Sequence, residues 1–240
     1  MSGSGLSFNN GIYCFKLYGA NCQKLNAFFN EKNCNFSIKS DFKDVTLKFD
    51  VSSMVDIEKD ALIKEFLQNF QTYIYAESDV SLNEQLVKIL TLQKGVISVA
   101  ESFTGGGISK EITSQSGASN VFYEGIVCYN ENSKIKRLGV DPKTIEDFGA
   151  VSSKTAYEMC KGLINYGNST IALSTTGLAG PNSDKSGLPV GICFIGVATE
   201  EHVVVHKYNF LGTRQEICRQ GVETAIFLAI KALKYGIYNL

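Results

Sequence analysis

Apolar and polar positions change period along the chain, and the changes mark its elements. Val45, Leu47, Phe49 and Val51 alternate with Thr46, Lys48 and Asp50, the two-residue period of a half-buried strand. Ile12 to Tyr18 reads as another strand and Leu25 to Asn30 as a short helix. Over Asp56 to Tyr75 the period lengthens, with Leu62, Ile63, Phe66, Leu67 and Phe70 at helical spacing. The polar stretch from Ala76 to Val80 interrupts it, so residues 11–80 are expected to form a small α+β unit ending there. Beyond it, Ser81 and Glu84 have capping-box spacing ahead of Leu82, Leu86, Ile89 and Leu90, and Gly95 ends that helix. The rest alternates apolar strands (Ile97 to Ala100, Gly125 to Tyr129, Thr170 to Ser174, Gly191 to Ala198, Val203 to Tyr208) with helices from Ile108, over Ser152 to Tyr166 and over Thr213 to Leu233. That alternation predicts βαβ units, and so a three-layer α/β domain over residues 81–240 with a mainly parallel sheet.

Composition narrows the class. A chain of 240 residues allows one large domain, or a medium and a small one. The net charge of −1 supplies no basic field for nucleic acid. No apolar run nears the roughly 18 to 20 residues of a membrane-spanning helix. The first ten residues, beginning Met1-Ser2-Gly3-Ser4-Gly5, read as a flexible tail. Seven scattered cysteines form no C-x-x-C pair, which points to reduced, buried thiols and the cytoplasm. His202 and His206 flank Val203 to Val205 and would share one strand face. Metal binding there is weighed against a half-exposed strand, and the strand is the reading taken.

Chemistry concentrates where strands end. Glu101 to Gly107 joins a strand to a helix through Ser102, Thr104 and the glycines 105–107. Such a turn is either an anion cradle with a nucleophile in it or a capped glycine turn. The run from Ser174 to Pro181 holds Thr176, Gly177, Ala179 and Gly180, whose donors could converge on an oxygen-rich ligand. Arg214 falls in the first turn of a helix, where the macrodipole disfavours a cation. It serves an anionic ligand or pairs with a surface carboxylate, and both readings stay open. Tyr129 and Lys134 leave a strand together and could turn toward Ser102, as base or proton relay. The plain alternative is a solvated Lys and an aromatic at the edge of the core.

Six strings in order resemble the CinA family: Ala100 to Gly106, Tyr129 with Lys134, Gly149 to Ser152, Thr176 to Pro181, Pro189 to Gly191, and Gly212 to Arg214. They are similar to its C-terminal nicotinamide-mononucleotide deamidase domain from about Ser81 to Leu233. Residues 11–80 look like its KH-type middle module. The N-terminal molybdopterin-binding-like domain of long members is missing, so the chain is expected to be a fragment or a short form. The resemblance implies hydrolysis of nicotinamide mononucleotide to nicotinate mononucleotide and ammonia in pyridine-nucleotide salvage, with no metal or organic cofactor, and a homodimer. It makes Ser102 the nucleophile and Tyr129 and Lys134 its activating partners. Glu101, Thr104, Gly105 and Gly106 would bind substrate at the helix start, Thr176, Gly177, Ala179 and Gly180 would line the pocket, and Arg214 would meet the phosphate.

The chain departs from that family at three places. Phe103 stands where Cys is usual, Thr213 where Asp is usual, and Asn182-Ser183 replaces Asp-Gly. The first module has no G-x-x-G loop, the element with which KH domains clamp nucleic-acid backbone, so nucleic acid is not expected as a partner. The second reading, from a different class, is a non-catalytic nucleotide-binding or partner-recruiting module.

Overall fold

The computed structural model describes residues 11–32, 34–166, 169–183 and 187–240. The proposed flexible tail, residues 1–10, lies outside them. The chain divides into two compact units after Ser81.

In the first unit the elements run β1 (Ile12–Tyr18), α1 (Cys22–Asn30), β2 (Asn35–Asp41), β3 (Asp44–Asp50), α2 (Asp56–Phe70) and β4 (Ile74–Ala76). The sheet is antiparallel with order β2-β3-β1-β4. This β-α-β-β-α-β order is the split-βαβ, ferredoxin-like plait. It corrects the KH-type expectation: a hairpin separates the two helices, leaving no adjacent helix pair to carry a backbone-clamping loop. The helical period predicted to Tyr75 stops at Phe70, and Ile74 to Ala76 pairs as a strand instead. An aromatic core holds the plait together. Tyr13, Phe15 and Phe49 stack on the sheet, with Tyr13 and Phe49 centroids 5.1 Å apart. Phe66 of α2 and Phe29 of α1 close on them at 5.0 and 4.9 Å. Such pairs add about 0.5–1.5 kcal/mol each beyond the area they bury.

The second unit runs α3 (Leu82–Gln93), β5 (Ile97–Glu101), α4 (Gly107–Thr113), β6 (Phe122–Val127), α5 (Glu131–Leu138), α6 (Pro142–Phe148), α7 (Ser153–Tyr166), β7 (Ile171–Gly177), β8 (Ile192–Thr199), β9 (Val203–Asn209) and α8 (Arg214–Tyr235). Its sheet has order β6-β5-β7-β8-β9. The first three strands are parallel, and the β8–β9 hairpin adds an antiparallel end. Helix α7 lies against β5, β7, β8 and β9, while α8 covers β7 and β8 and packs with α3 and α4. Each face of the sheet therefore carries helices, giving three layers. Strands β5 and β7 are buried almost throughout because both faces are covered.

The described residues hold no cluster of three or more His, Cys, Asp or Glu able to bind a metal. His202 instead sets its ring 4.4 Å from Tyr238, and His206 lies in edge strand β9. All seven cysteines are free thiols. No helix among the described residues is long and apolar enough to cross a membrane.

Candidate active site

Parallel strands in register bring residues distant in sequence to one end of the sheet. Glu101 pairs with Val127 on one side and Thr175 on the other, so the residues that follow emerge side by side. Ser102 N–H donates to Thr175 O at 3.0 Å, and Cys128 N–H donates to Glu101 O at 2.8 Å. Open α/β sheets bind their ligands at this carboxyl edge.

The chain then reverses through Gly105 and Gly106, whose φ values of +62° and +97° lie in the left-handed region that glycine favours. The reversal aims three N–H groups at the Glu101 carboxylate. Gly106 and Ile108 donate to Oε2 at 3.0 Å each, and Ser109 N–H and Oγ donate to Oε1 at 2.8 and 2.7 Å. Glu101 is fully buried. The anion in this cradle is therefore the protein's own, which compensates the positive end of α4. That corrects the expectation that Glu101 and Gly106 contact substrate: their polar groups are consumed by each other. Thr104 shares a hydroxyl contact of 2.8 Å with Thr175, and Gly105 N–H closes the turn on Ser102 O at 3.1 Å. None of these four residues lines the cavity described next.

Ser102 stands free of that cradle. Asn130 caps α5 by accepting from Asn132 N–H, which starts the helix so that Lys134 reaches back over the strand ends. Lys134 Nζ donates to Ser102 Oγ and to Cys128 O, both at 2.9 Å. Lys134 is 2% exposed and has no ion-pair partner among the described residues. Burial pushes its pKa below the ordinary lysine value, against a smaller opposing pull from Cys128 and Glu131.

Tyr129 goes elsewhere. It is 58% exposed, and its hydroxyl accepts from Arg214 Nη2 at 2.7 Å. This corrects the pairing of Tyr129 with Ser102: α5 starts one residue beyond Tyr129 and turns only Lys134 inward. Arg214 Nη1 donates to Gly180 O at 2.7 Å. No carboxylate pairs with Arg214 among the described residues, so the surface-pair alternative is not the one observed, and the rest of its five donors stay available.

These groups surround a cavity of about 260 Å³. Ser102 and Lys134 lie together in it with Tyr129, Thr176, Gly177, Ala179, Gly180 and Arg214. Thr176 Oγ1 donates to Ala150 O at 2.7 Å, fixing that wall. Sequence reasoning missed Glu131, Ala150, Val151, Leu178 and Asn182 as lining residues. Ala150, Val151 and Leu178 lie inside strings already singled out, Glu131 falls between Tyr129 and Lys134, and Asn182 follows Pro181, so membership of those strings was the available signal.

The three departures have structural answers. Phe103 is buried with its ring against Gly221 of α8, where an added Cβ would stand 2.4 Å from Cζ and 2.5 Å from Cε2. A glycine inside a long helical pattern was the trace of this close approach. Thr213 preserves the helix cap, its N–H donating to Glu216 Oε2 at 2.7 Å in a complete capping box. Asn182 lines the cavity.

The second unit is thus a three-layer α/β domain that sets a buried lysine on a serine hydroxyl at the carboxyl ends of parallel strands, an arrangement able to activate that hydroxyl. Residues 79–233 match the family described as the CinA C-terminal domain, and the chain belongs to that family. A competence-damage inducible protein of Alkaliphilus oremlandii is 40% identical over 177 residues, 72% of this chain and 43% of that protein. One from Caldicellulosiruptor saccharolyticus is 38% identical over 202 residues, 80% of this chain and 48% of its own. The chain thus spans less than half the length of these relatives. Among solved structures, competence/damage inducible protein CihA from Agrobacterium tumefaciens aligns with TM-score 0.61 at 33% identity, covering 63% of this chain and 93% of that one. A competence or damage-inducible protein from Enterobacter asburiae aligns at 0.62 with 26% identity, covering 64% and 96%.

Proposed function

We propose that the second unit is a serine–lysine amidohydrolase that converts nicotinamide mononucleotide and water to nicotinate mononucleotide and ammonia. The observation that carries this reading is Lys134 Nζ, buried without a carboxylate and 2.9 Å from Ser102 Oγ. A lysine so desolvated reaches its neutral form at lower pH, and neutral Nζ accepts the hydroxyl proton instead of donating. Ser102 Oγ then bonds to the carboxamide carbon. The proton on Nζ passes to the amide nitrogen as the C–N bond breaks, and ammonia leaves. Water attacks the resulting ester with Nζ again as base, releasing the carboxylate and restoring Ser102.

The oxyanion formed at each addition needs N–H donors. Phe103 N–H, next in the turn and on the cavity wall, donates to no acceptor among the described residues and is assigned that role. Thr176 and the backbone from Gly177 to Gly180 shape the wall, and Arg214 meets the phosphate with its spare donors. Tyr129 acts through Arg214 as a positioning residue. We place the reaction in the cytoplasm, in a homodimer, as the family resemblance implies.

The test is ammonia release from nicotinamide mononucleotide with nicotinate mononucleotide identified as product. Wild-type protein is expected to turn over and Ser102→Ala to be inactive while folded. Saturable binding without turnover by the wild type would overturn the assignment in favour of a binding module.

A further inference from the structure

Glu131 is the acidic side chain among the residues lining the cavity. It opens α5 one turn before Lys134, and residues three apart share a helix face. Its carboxylate is exposed and has no hydrogen-bond or ion-pair partner among the described residues, though its charge is felt at Lys134. An unpaired negative charge beside the reacting serine disfavours a phosphorylated substrate, unless some other part of that substrate is positive. Nicotinamide mononucleotide meets this condition: its ring nitrogen is quaternary, the ring carries a fixed positive charge, and the carboxamide is attached directly to it. With the amide carbon at Ser102 Oγ, the ring must stand within a bond length or two of the reacting centre. The phosphate then lies at the far end of the ribose, the end assigned to Arg214.

Resting on the reaction proposed above, we propose that Glu131 is a specificity-determining residue whose carboxylate faces the cationic ring. With Arg214 it makes the cavity bipolar, negative beside the nucleophile and positive at the phosphate. The site then takes amides on cationic heterocycles in preference to the same amides on neutral rings. It also repels the carboxylate of the product, which forms next to Glu131, and so favours release.

The test uses two ligands of nearly the same shape, nicotinamide mononucleotide and its 1,4-dihydro form, whose ring is neutral. Calorimetric Kd values are measured at pH 7.5 on Ser102→Ala, which leaves both ligands intact, and on Ser102→Ala/Glu131→Gln. The expected result is that Glu131→Gln weakens the oxidised ligand about tenfold, the loss of one charge pair in a partly solvated site. The dihydro ligand should change by less than about twofold. A preference for the oxidised ligand that is the same in both proteins, or its absence from Ser102→Ala, would overturn the proposal. Ammonia release by the wild type judges the reaction separately: turnover with an unchanged preference sinks Glu131 alone, and no turnover sinks both.

Discussion

Replacing Gly221 by Ala tests how the site accommodates Phe103, and its outcome depends on what residue 103 is. An added Cβ would stand 2.4 and 2.5 Å from two carbons of the Phe103 ring and 3.2 Å from Thr104 Cγ2. Carbon atoms rest at about 3.5–4.0 Å, so the ring must retreat by about an ångström. Overpacking of this kind destabilises by about 1–3 kcal/mol. Against it, Ala is favoured over Gly inside a helix by about 1 kcal/mol. The net effect of Gly221→Ala in the wild type is therefore a loss of up to about 2 kcal/mol. In a Phe103→Cys background the ring is gone and only the 3.2 Å approach to Thr104 Cγ2 is left against the helix preference, so the same change is near neutral or stabilises by up to about 1 kcal/mol. A double-mutant cycle should return a coupling of about 1–3 kcal/mol, read from urea unfolding of the four proteins. Because Phe103 follows Ser102 directly, activity should fall with Gly221→Ala in the wild type and recover with Phe103→Cys. If Gly221→Ala shifts stability equally in both backgrounds, within about 0.5 kcal/mol, the ring and the helix are not coupled and the packing argument fails.

Glu101→Gln keeps the volume but puts an amide N–H₂ where two donors now find an acceptor, so a loss of about 2–4 kcal/mol is expected in denaturant unfolding. Unaltered stability would mean that the carboxylate does not hold the turn. The pH dependence follows from the lowered pKa of Lys134. Below it Nζ is an ammonium and cannot accept a proton, so kcat/KM should climb with pH through that value and level off before the ordinary 10.5. Stability moves the same way, since between the folded and unfolded values the unfolded chain binds more protons. Lys134→Arg, always charged, should be inactive at every pH, and a profile flat from pH 6 to 10 in the wild type would count against Lys134 as base. Arg214→Ala should weaken kcat/KM for nicotinamide mononucleotide at least tenfold and leave the riboside lacking phosphate nearly unchanged; equal losses on both would remove the phosphate contact.

What the sequence disclosed depended on whether a local rule was enough. Strands β5, β7 and β8 show as apolar runs because both their faces are covered, and the capping box at Thr213 and Glu216 has a fixed spacing. Strand β2 was not read. It is an edge strand with mostly polar residues, and its hairpin turns on Phe42 and Lys43 rather than on Asn-Gly or Asp-Gly. Helices α5 and α6 went unread because each is only two turns long. The plait of the first unit was legible only through β2 and β4, so missing both strands left the KH expectation standing. Within the site, membership was readable from strand ends and pairing was not. Tyr129 and Lys134 have the same sequence claim on Ser102. The choice between them turns on where α5 begins, one residue past Tyr129, at the Asn130 cap.

The glycine turn shows why a helix N-terminus at a strand end does not by itself make a ligand site. Three backbone N–H groups and a hydroxyl converge there, yet all four meet Glu101, the last residue of β5. An external anion would have to displace a buried carboxylate that is held by four hydrogen bonds, at a cost well above the 0.3–1 kcal/mol that a helix end contributes to binding a surface charge. The turn therefore acts as a rigid mount. It fixes Ser102 on one side of β5 and Phe103 against Gly221 of α8, and it leaves the recognition of the substrate's phosphate to Arg214. Separating the mount from the anion contact also explains why a cation is tolerated in the first turn of α8. There the guanidinium is braced by Gly180 O and the Tyr129 hydroxyl, with donors to spare, rather than neutralised by a carboxylate.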